Sequence, residues 1–164
     1  MIQNIREHTF ETNSSSLHSI AIYDGTNAIE KLREFDSLNA EIKLGDYGWE
    51  KAVYTDPFDI LSYLWTLICC HYPQYKETIR EYMPKTNFVE PKLDAYGYVD
   101  YWEGYVDHGG CYEKDMDEIM SNEGNFAQVV MYGRVATWND NTDTDEDPEH
   151  LEPKDAVKIY WKCN

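Results

Sequence analysis

The clearest pattern along the chain is an apolar run with helical spacing in its first half. One helix face is predicted by apolar residues that recur every three or four positions: Phe58, Leu61, Leu64, Trp65 and Ile68. Asp56 and Pro57 precede this run, and the pair is typical of an N-cap followed by the first helical position. Pro73 and Pro84 bracket a second helical segment. The pattern therefore predicts a helical hairpin.

Alternating apolar and polar positions predict strands on both sides of this hairpin. The predicted strands cover residues 16–23, 41–44, 96–106, 126–138 and 156–161, with 126–138 as a central strand. Shorter helices are predicted at 26–35, with Thr26 as N-cap, and at 113–121. This order of elements indicates an α+β fold, with a mostly antiparallel sheet and the helical hairpin packed on it. A length of 164 residues fits a single domain over residues 1–164.

Composition adds two expectations to this outline. Hydrophobic residues make up 42% of the chain, enough for a substantial core. The 14 tyrosines and 5 tryptophans exceed what such a core requires. We therefore expect some of these rings at the surface, where Tyr and Trp act as anchors in protein contacts.

The charge balance restricts the possible partners. A formal charge of −17 repels phosphates, which argues against direct binding to nucleic acid or to an anionic membrane. It favours a basic protein partner, and a nucleic-acid-binding effector is one such partner. The alternative is that the negative charge serves only to keep the protein soluble and marks no partner.

Cysteine usage and the N-terminal residues bear on the compartment. Cys69 and Cys70 are adjacent, and Cys111 and Cys163 follow at irregular distances, which is unlike a disulfide framework. Residues 1–10 carry charges and lack the apolar centre of a signal peptide. The apolar run at 60–70 is too short to span a bilayer. These features predict a cytoplasmic protein without membrane contact.

A polar turn precedes the first predicted strand and holds Asn13, Ser14, Ser15 and Ser16. Asn and Ser at this density form tight turns or anion-accepting nests. His18 follows, and alternation places it on the same strand face as Ile20 and Ile22. We expect Asn13, Ser14, Ser16 and His18 to line a pocket at the end of this strand.

Two further polar clusters end predicted strands, at Asp107-His108 and at residues 139–141. If the clusters converge, His18 and His108 could act as acid and base, with Asp107 or Asp140 as orienting carboxylate and Ser15 as nucleophile. The alternative is a buried histidine bonded to turn residues. Sequence fixes no distance among the clusters, so both interpretations stay open.

Two possible metal sites fail on spacing. Cys69, Cys70 and His71, with His108 and Cys111, supply zinc ligands by type, but consecutive helical residues point about 100° apart. The acidic loop after residue 139 has Glu146 where a calcium loop counted from Asn141 needs glycine. Neither a metal nor another cofactor is predicted.

The same acidic loop is a candidate contact surface. It combines carboxylates with a neighbouring tryptophan: Asp140, Asp143, Asp145, Glu146, Asp147 and Trp138. These groups could imitate a phosphate backbone toward a basic partner. A solvated loop without a partner is the alternative.

The segment 9–19, with Arg6 before it, resembles the N-terminal signature of a family of small phage and prophage proteins. Residues 104–108 and 139–141 are similar to two later blocks of that family. After His108 this chain has Gly109-Gly110, where the family has a more polar pair of residues. The resemblance implies a phage setting, in the cytoplasm of the infected bacterial host, and no particular activity.

The resemblance and the acidity together predict a non-enzymatic, anti-CRISPR-like inhibitor of a bacterial defence system that binds a basic nucleic-acid-binding surface. The alternative is a small enzyme or ligand-binding protein with a Ser/His/Asp pocket. A virion or assembly accessory protein is a third possibility.

Overall fold

The structure is a computed structural model that describes residues 16–48, 51–107, 113–139 and 154–161. Within these ranges the chain forms α-helices and a mostly antiparallel sheet, so the predicted α+β class is confirmed. The elements in chain order are β1 (Ser16–Ile22), α1 (Ala28–Asp36), β2 (Glu41–Ile42), β3 (Asp46–Tyr47), β4 (Ala52–Tyr54), α2 (Pro57–His71), α3 (Lys76–Tyr82), β5 (Asn87–Phe88), β6 (Tyr105–Val106), α4 (Glu113–Ile119), α5 (Glu123–Tyr132), β7 (Gly133–Asn139) and β8 (Lys158–Trp161).

The main sheet has the strand order β4-β7-β1-β8, with antiparallel pairing throughout. In its register His18 lies opposite Thr137, and Ser19 lies between Ala136 and Trp161. Two small parallel pairs, β2 with β5 and β3 with β6, are separate from this sheet. The predicted first and last strands are therefore confirmed at Ser16–Ile22 and Lys158–Trp161.

One face of β1 belongs to the main hydrophobic core. Ile20, Ile22 and Val135 share this core with the apolar residues of α2 and α5. His18 lies on the same face and is also fully buried, as the alternation predicted. The helices therefore cover the face that carries His18.

Helix α2 follows the predicted pattern because its start is fixed by a cap. The Asp56 side chain accepts a hydrogen bond from the Phe58 amide at 2.8 Å, and Pro57 occupies the first helical position. The apolar residues Leu61, Leu64, Trp65 and Ile68 are fully buried. Phe58 was predicted to face the core, but it is 43% exposed and packs edge-on against Phe35.

The predicted helical hairpin continues through a 3₁₀ turn at Pro73–Tyr75 into α3. This turn folds α3 back toward α2. Lys76 Nζ lies 5.6 Å and the Arg80 guanidinium 5.1 Å from the centre of the Trp65 ring. The Trp65 indole also donates to the Val89 carbonyl at 2.8 Å. Trp65 thereby joins the hairpin to the segment that follows it.

The prediction of one strand over 126–138 was wrong for its first half, which forms α5. Buried residues there follow helical rather than alternating spacing: Phe126, Ala127, Val129 and Val130. The Asn122 side chain caps the helix by accepting from the Asn125 amide at 2.9 Å. Packing against α1 and β1 outweighs the β propensity of the two valines.

The predicted strand over 96–106 was also wrong, except at Tyr105–Val106. The Asp94 side chain accepts hydrogen bonds from the amides of Tyr96 and Tyr98, which turns the chain where a strand would continue. A second turn follows, in which Asp100 accepts from the Trp102 amide at 3.2 Å. The alternation of aromatic residues here does not mark one face of a sheet, because the rings are exposed to solvent.

Two smaller differences concern short elements. Helix α1 begins at Ala28, after Asn27 in a left-handed conformation, and not after Thr26 as predicted. The strand β4, which pairs with β7, was not predicted, since its three residues are too few for a periodic signal.

The Asp56 cap gives a test of what starts α2. Replacing Asp56 by Ala should lower the free energy of unfolding by about 1 kcal/mol, because the Phe58 amide loses its acceptor. Asp56→Asn, which keeps a capping oxygen, should retain most of the stability. Urea denaturation followed by tryptophan fluorescence measures both, and equal losses in the two variants would contradict the capping role.

Candidate functional site

A buried polar cluster surrounds His18 at the inner face of β1. His18 Nδ1 forms a 3.0 Å hydrogen bond with the Tyr63 hydroxyl of α2. Thr137 lies opposite His18 on β7. All three residues are 0% exposed. Sheet register and the inner face of α2 thus place these polar groups together within the core.

Asp107 reaches the same cluster through the pairing of β3 with β6. Its amide donates to the Tyr47 carbonyl at 2.8 Å, immediately before Gly48. A Cβ atom built on Gly48 would lie 2.6 Å from His18 Nε2 and 2.9 Å from the Cβ of Asp107. His18 and Asp107, one residue from each of two predicted polar clusters, therefore approach each other on either side of Gly48. We refer to His18, Gly48, Tyr63, Asp107 and Thr137 as the His18 cluster.

A polar stripe on α2 holds the loop that delivers Gly48. The Ser62 hydroxyl donates to the Lys43 carbonyl and accepts from the Tyr47 hydroxyl, each at 2.8 Å. The Thr66 hydroxyl accepts from the Gly45 amide at 3.0 Å. Burial raises the pKa of the Tyr47 hydroxyl to about 12, so it remains a donor at neutral pH. The loop is therefore fixed to the helix along its length.

The burial of the His18 cluster limits what it can do chemically. His18 is 0% and Asp107 3% exposed, so a substrate could reach either side chain only if the covering segments moved. Tyr63 and Thr137 supply hydroxyls, but both are also buried. The geometry favours the interpretation of His18 as a core histidine that joins β1 to α2.

Several predicted site residues lie outside the part of the chain that the structure describes. These are Asn13, Ser14, Ser15, His108, Asp140, Asp143, Asp145, Glu146 and Asp147. Ser16 begins β1, and its side chain also lies outside the description. Trp138 lies on β7 and is half-buried. The pocket, the proposed acid–base pair and the acidic loop accordingly stay predictions.

The end of α2 carries Cys69, Cys70 and His71, three of the five residues considered as zinc ligands by type, while His108 and Cys111 lie outside the described residues. Burial raises the pKa of the Cys69 thiol to about 12 and that of Cys70 to about 11. Both thiols are therefore protonated at neutral pH in the metal-free chain. Within residues 16–48, 51–107, 113–139 and 154–161, no group of three or more His, Cys, Asp or Glu side chains could hold a metal ion.

An exposed group of aromatic residues, which the strand prediction had obscured, forms a second candidate site. Four rings protrude between residues 93 and 103: Tyr96 is 86% exposed, Tyr98 73%, Tyr101 57% and Trp102 88%. Leu93 beside them is also exposed. We call residues 93–103 the aromatic loop. The signal that could have located it is Asp94 three positions before Gly97, a turn pattern inside the aromatic run.

The aromatic loop is held by its own hydrogen bonds. Asp94 donates its amide to the Tyr98 carbonyl at 2.7 Å, and its side chain accepts from the Tyr96 and Tyr98 amides at 2.8 and 2.9 Å. Leu93 and Val99 form an antiparallel bridge across the base. Tyr96 and Tyr98 are therefore presented to solvent by a turn that its own hydrogen bonds fix.

No protein-family model, curated protein or solved structure matches this chain. In the described ranges, none of the helices has the length and apolar character needed to cross a membrane. The arguments for function therefore rest on the two candidate sites and on charge.

Gly48 provides a test of the packing in the His18 cluster. Gly48→Ala should lower the free energy of unfolding by about 2–4 kcal/mol, because it adds strain at φ +100° to a clash with His18. Gly97 is a matched control: its φ is +86° and no atom lies within 4 Å of an added Cβ. Gly97→Ala should cost about 1–2 kcal/mol. Urea denaturation of both variants measures the difference, and equal costs would contradict the close approach.

His71 provides a test of pH dependence at the end of α2. Burial lowers the pKa of His71 below its usual value, so the unfolded chain binds its proton first as pH falls. Stability should therefore decrease below about pH 6.5. His71→Gln should weaken this decrease. Urea denaturation at intervals between pH 5 and 7 compares the two, and parallel curves would contradict a neutral buried His71.

Proposed function

We propose that this chain is a phage-type acidic inhibitor that binds a basic, nucleic-acid-binding surface of a bacterial defence complex, as anti-CRISPR proteins do. The observation that carries the proposal is the aromatic loop, whose two hydrogen-bonded turns expose Tyr96, Tyr98, Tyr101 and Trp102. The net charge of −17 supplies the second argument, since it defines the kind of surface that the loop would meet.

Exposed aromatic rings on an ordered turn are suited to anchoring a protein partner. Burying Trp102 and Tyr96 in a partner would remove large apolar surfaces from water. Their rings have few rotatable bonds, and the turns beneath them are already fixed, by Asp94 at Tyr96 and by Asp100 at Trp102. Binding would therefore cost little conformational entropy. Trp and Tyr are also the residues that most often dominate interface energetics.

Carboxylates beside the rings favour a basic partner. The aromatic loop contains the carboxylates of Asp94, Asp100 and Glu103. At its base, Lys92 Nζ lies 3.5 Å from Glu103 Oε1. Arginine and lysine side chains of a partner would pair with the carboxylates and stack on the ring faces. The remaining acidic charge would accelerate encounter with such a surface.

Direct binding of a single-stranded nucleic acid is disfavoured, although bases also stack on exposed rings. Proteins that use this mode combine the rings with a positively charged groove along the backbone. Here the loop itself contains three carboxylates and the whole chain carries −17. The phosphates would therefore be repelled from the rings.

The proposal predicts that the aromatic loop carries inhibition. Trp102→Ala and Tyr96→Ala should each weaken binding to a purified guide-loaded bacterial nuclease complex by about tenfold or more. Leu38, an exposed apolar residue outside the aromatic loop (63%), provides the control, and Leu38→Ala should have no effect. Binding and inhibition of target cleavage are measured across a panel of such complexes. Binding by the unchanged chain should weaken as salt is added.

Changes in the acidic loop test the electrostatic part of the same proposal. Replacing Asp140, Asp143, Asp145, Glu146 and Asp147 by their amides should slow association and flatten its salt dependence. Absence of binding to every complex of the panel, even at low salt, would overturn the proposal.

A small enzyme or ligand-binding protein is the second candidate, favoured by the approach of His18 and Asp107 across Gly48. It is the weaker candidate because both side chains are buried. This alternative would be supported if His108→Ala abolished a catalytic or ligand-binding activity of the chain and Trp102→Ala left that activity unchanged.

A further inference from the structure

The second turn of the aromatic loop, which presents Trp102, is fixed at both ends by backbone hydrogen bonds. At its start, the Asp100 amide donates to the Lys92 carbonyl at 2.9 Å, and the Asp100 side chain accepts from the Trp102 amide at 3.2 Å. At its end, the Tyr105 amide donates to the Gly45 carbonyl at 3.0 Å. A partner that bound here would therefore not have to order this turn.

Two rings of this turn stand nearly perpendicular to each other. The ring centres of Tyr101 and Trp102 are 5.7 Å apart, and the angle between the ring planes is 81°. Tyr101 is 57% and Trp102 88% exposed. The Tyr101 ring also contacts Tyr105, at 6.1 Å between ring centres, and Tyr105 contacts His71 at the end of α2. We call the solvent-exposed angle between the two rings the Tyr101–Trp102 corner.

The charges around the Tyr101–Trp102 corner favour a cation. Residues 92–103 contain three carboxylates and one cationic side chain, Lys92. The Lys92 side chain is 83% exposed and lies 3.5 Å from Glu103. An exposed pair of this kind contributes little to stability, so an incoming cation can replace Lys92. Aromatic faces attract cations as well, because the ring quadrupole is negative above the ring plane.

The chain already holds two cations of its own with the same kinds of group. At Trp65, the Arg80 guanidinium lies 5.1 Å from the ring centre, and Lys76 Nζ lies 5.6 Å from it. Arg80 also pairs with Glu77, at 3.0 Å, and with Glu90. A tryptophan beside carboxylates therefore binds cationic side chains within this protein. The aromatic loop presents the same combination to solvent.

We propose that the Tyr101–Trp102 corner binds the guanidinium of an arginine in an exposed segment of the partner, in preference to a lysine. A guanidinium is planar, so it can lie flat on one ring while its N–H edge faces the perpendicular ring and the carboxylates. The ammonium of lysine is compact and strongly hydrated, and it cannot stack in this way. This inference rests on the proposed function and adds to it the side chain that the loop selects.

The probes are acetylated and amidated hexa-arginine and hexa-lysine, which carry equal charge. Each is titrated into the full chain by calorimetry at physiological ionic strength. General attraction to a chain with a charge of −17 acts on both peptides, so the ratio of their dissociation constants isolates the stacking. Hexa-arginine should bind about threefold more tightly than hexa-lysine.

Nuclear magnetic resonance shows where the peptide binds. Hexa-arginine should shift the indole N–H resonance of Trp102 in the ¹⁵N-labelled chain. That resonance is identified as the one that is absent from the spectrum of Trp102→Phe.

Variants assign the preference to the corner. Trp102→Ala and Tyr101→Ala should each bring the ratio of dissociation constants close to one, whereas Tyr101→Phe, which keeps the ring, should retain the preference. Asp100→Asn keeps an oxygen for the Trp102 amide and removes the charge, so it should weaken hexa-arginine binding by about threefold. The matched control is Tyr96→Ala, which removes a ring that is 86% exposed on the other turn and should leave the ratio unchanged.

Circular dichroism confirms that each variant is folded. The proposal would be overturned by equal affinities of the two peptides for the unchanged chain, by an unshifted Trp102 resonance, or by a preference that persists in folded Trp102→Ala and Tyr101→Ala chains. Equal affinities would leave the proposed function intact, because a basic surface can consist of lysines. Absence of binding to every nuclease complex would overturn the proposed function and would not alter the ratio measured with the peptides.

Discussion

Strand β1 exchanges backbone hydrogen bonds with β7 on one side and with β8 on the other, so residues from distant parts of the chain meet along it. Its inner face lies in the main hydrophobic core, and its outer face is closed over Ser19 and Ala21. The His18 cluster depends on this register. A shift by one residue would exchange His18 with Ser19 and remove the His18 cluster.

Helix α2 packs on this sheet and holds neighbouring segments of the chain through side-chain hydrogen bonds. Its apolar side fills the core, while Ser62 and Thr66 hold the backbone that leads to Gly48, and Tyr63 reaches His18. The Trp65 indole binds the Val89 carbonyl, shortly before the aromatic loop begins. One helix therefore supports both the buried cluster and the approach to the exposed rings. Because Ser62, Tyr63 and Thr66 make these hydrogen bonds, the inward side of α2 is not uniformly hydrophobic.

Much of the fold could be predicted where local signals were strong. Asp56-Pro57 and the apolar spacing after it predict α2, and the alternation of β1 predicts that His18 points inward. Prediction failed where a turn depended on one side chain, as at Asp94, or where packing overrode propensity, as at Val129 and Val130 in α5. The meeting of His18 with Asp107 could not be predicted, because it depends on the parallel pairing of β3 with β6 across distant segments.

The pairing of β1 with β7 also has a consequence for how the chain is made. During synthesis β1 leaves the ribosome long before β7 and β8 exist, so its backbone groups and apolar side chains have no native partner for most of that time. Contacts between such distant segments form slowly because a large loop must close first. An unpaired apolar strand is also a surface for aggregation. The chain should therefore acquire its sheet late, after α2 has formed, and its yield in a host cell should depend on how well β1 is shielded until β7 arrives.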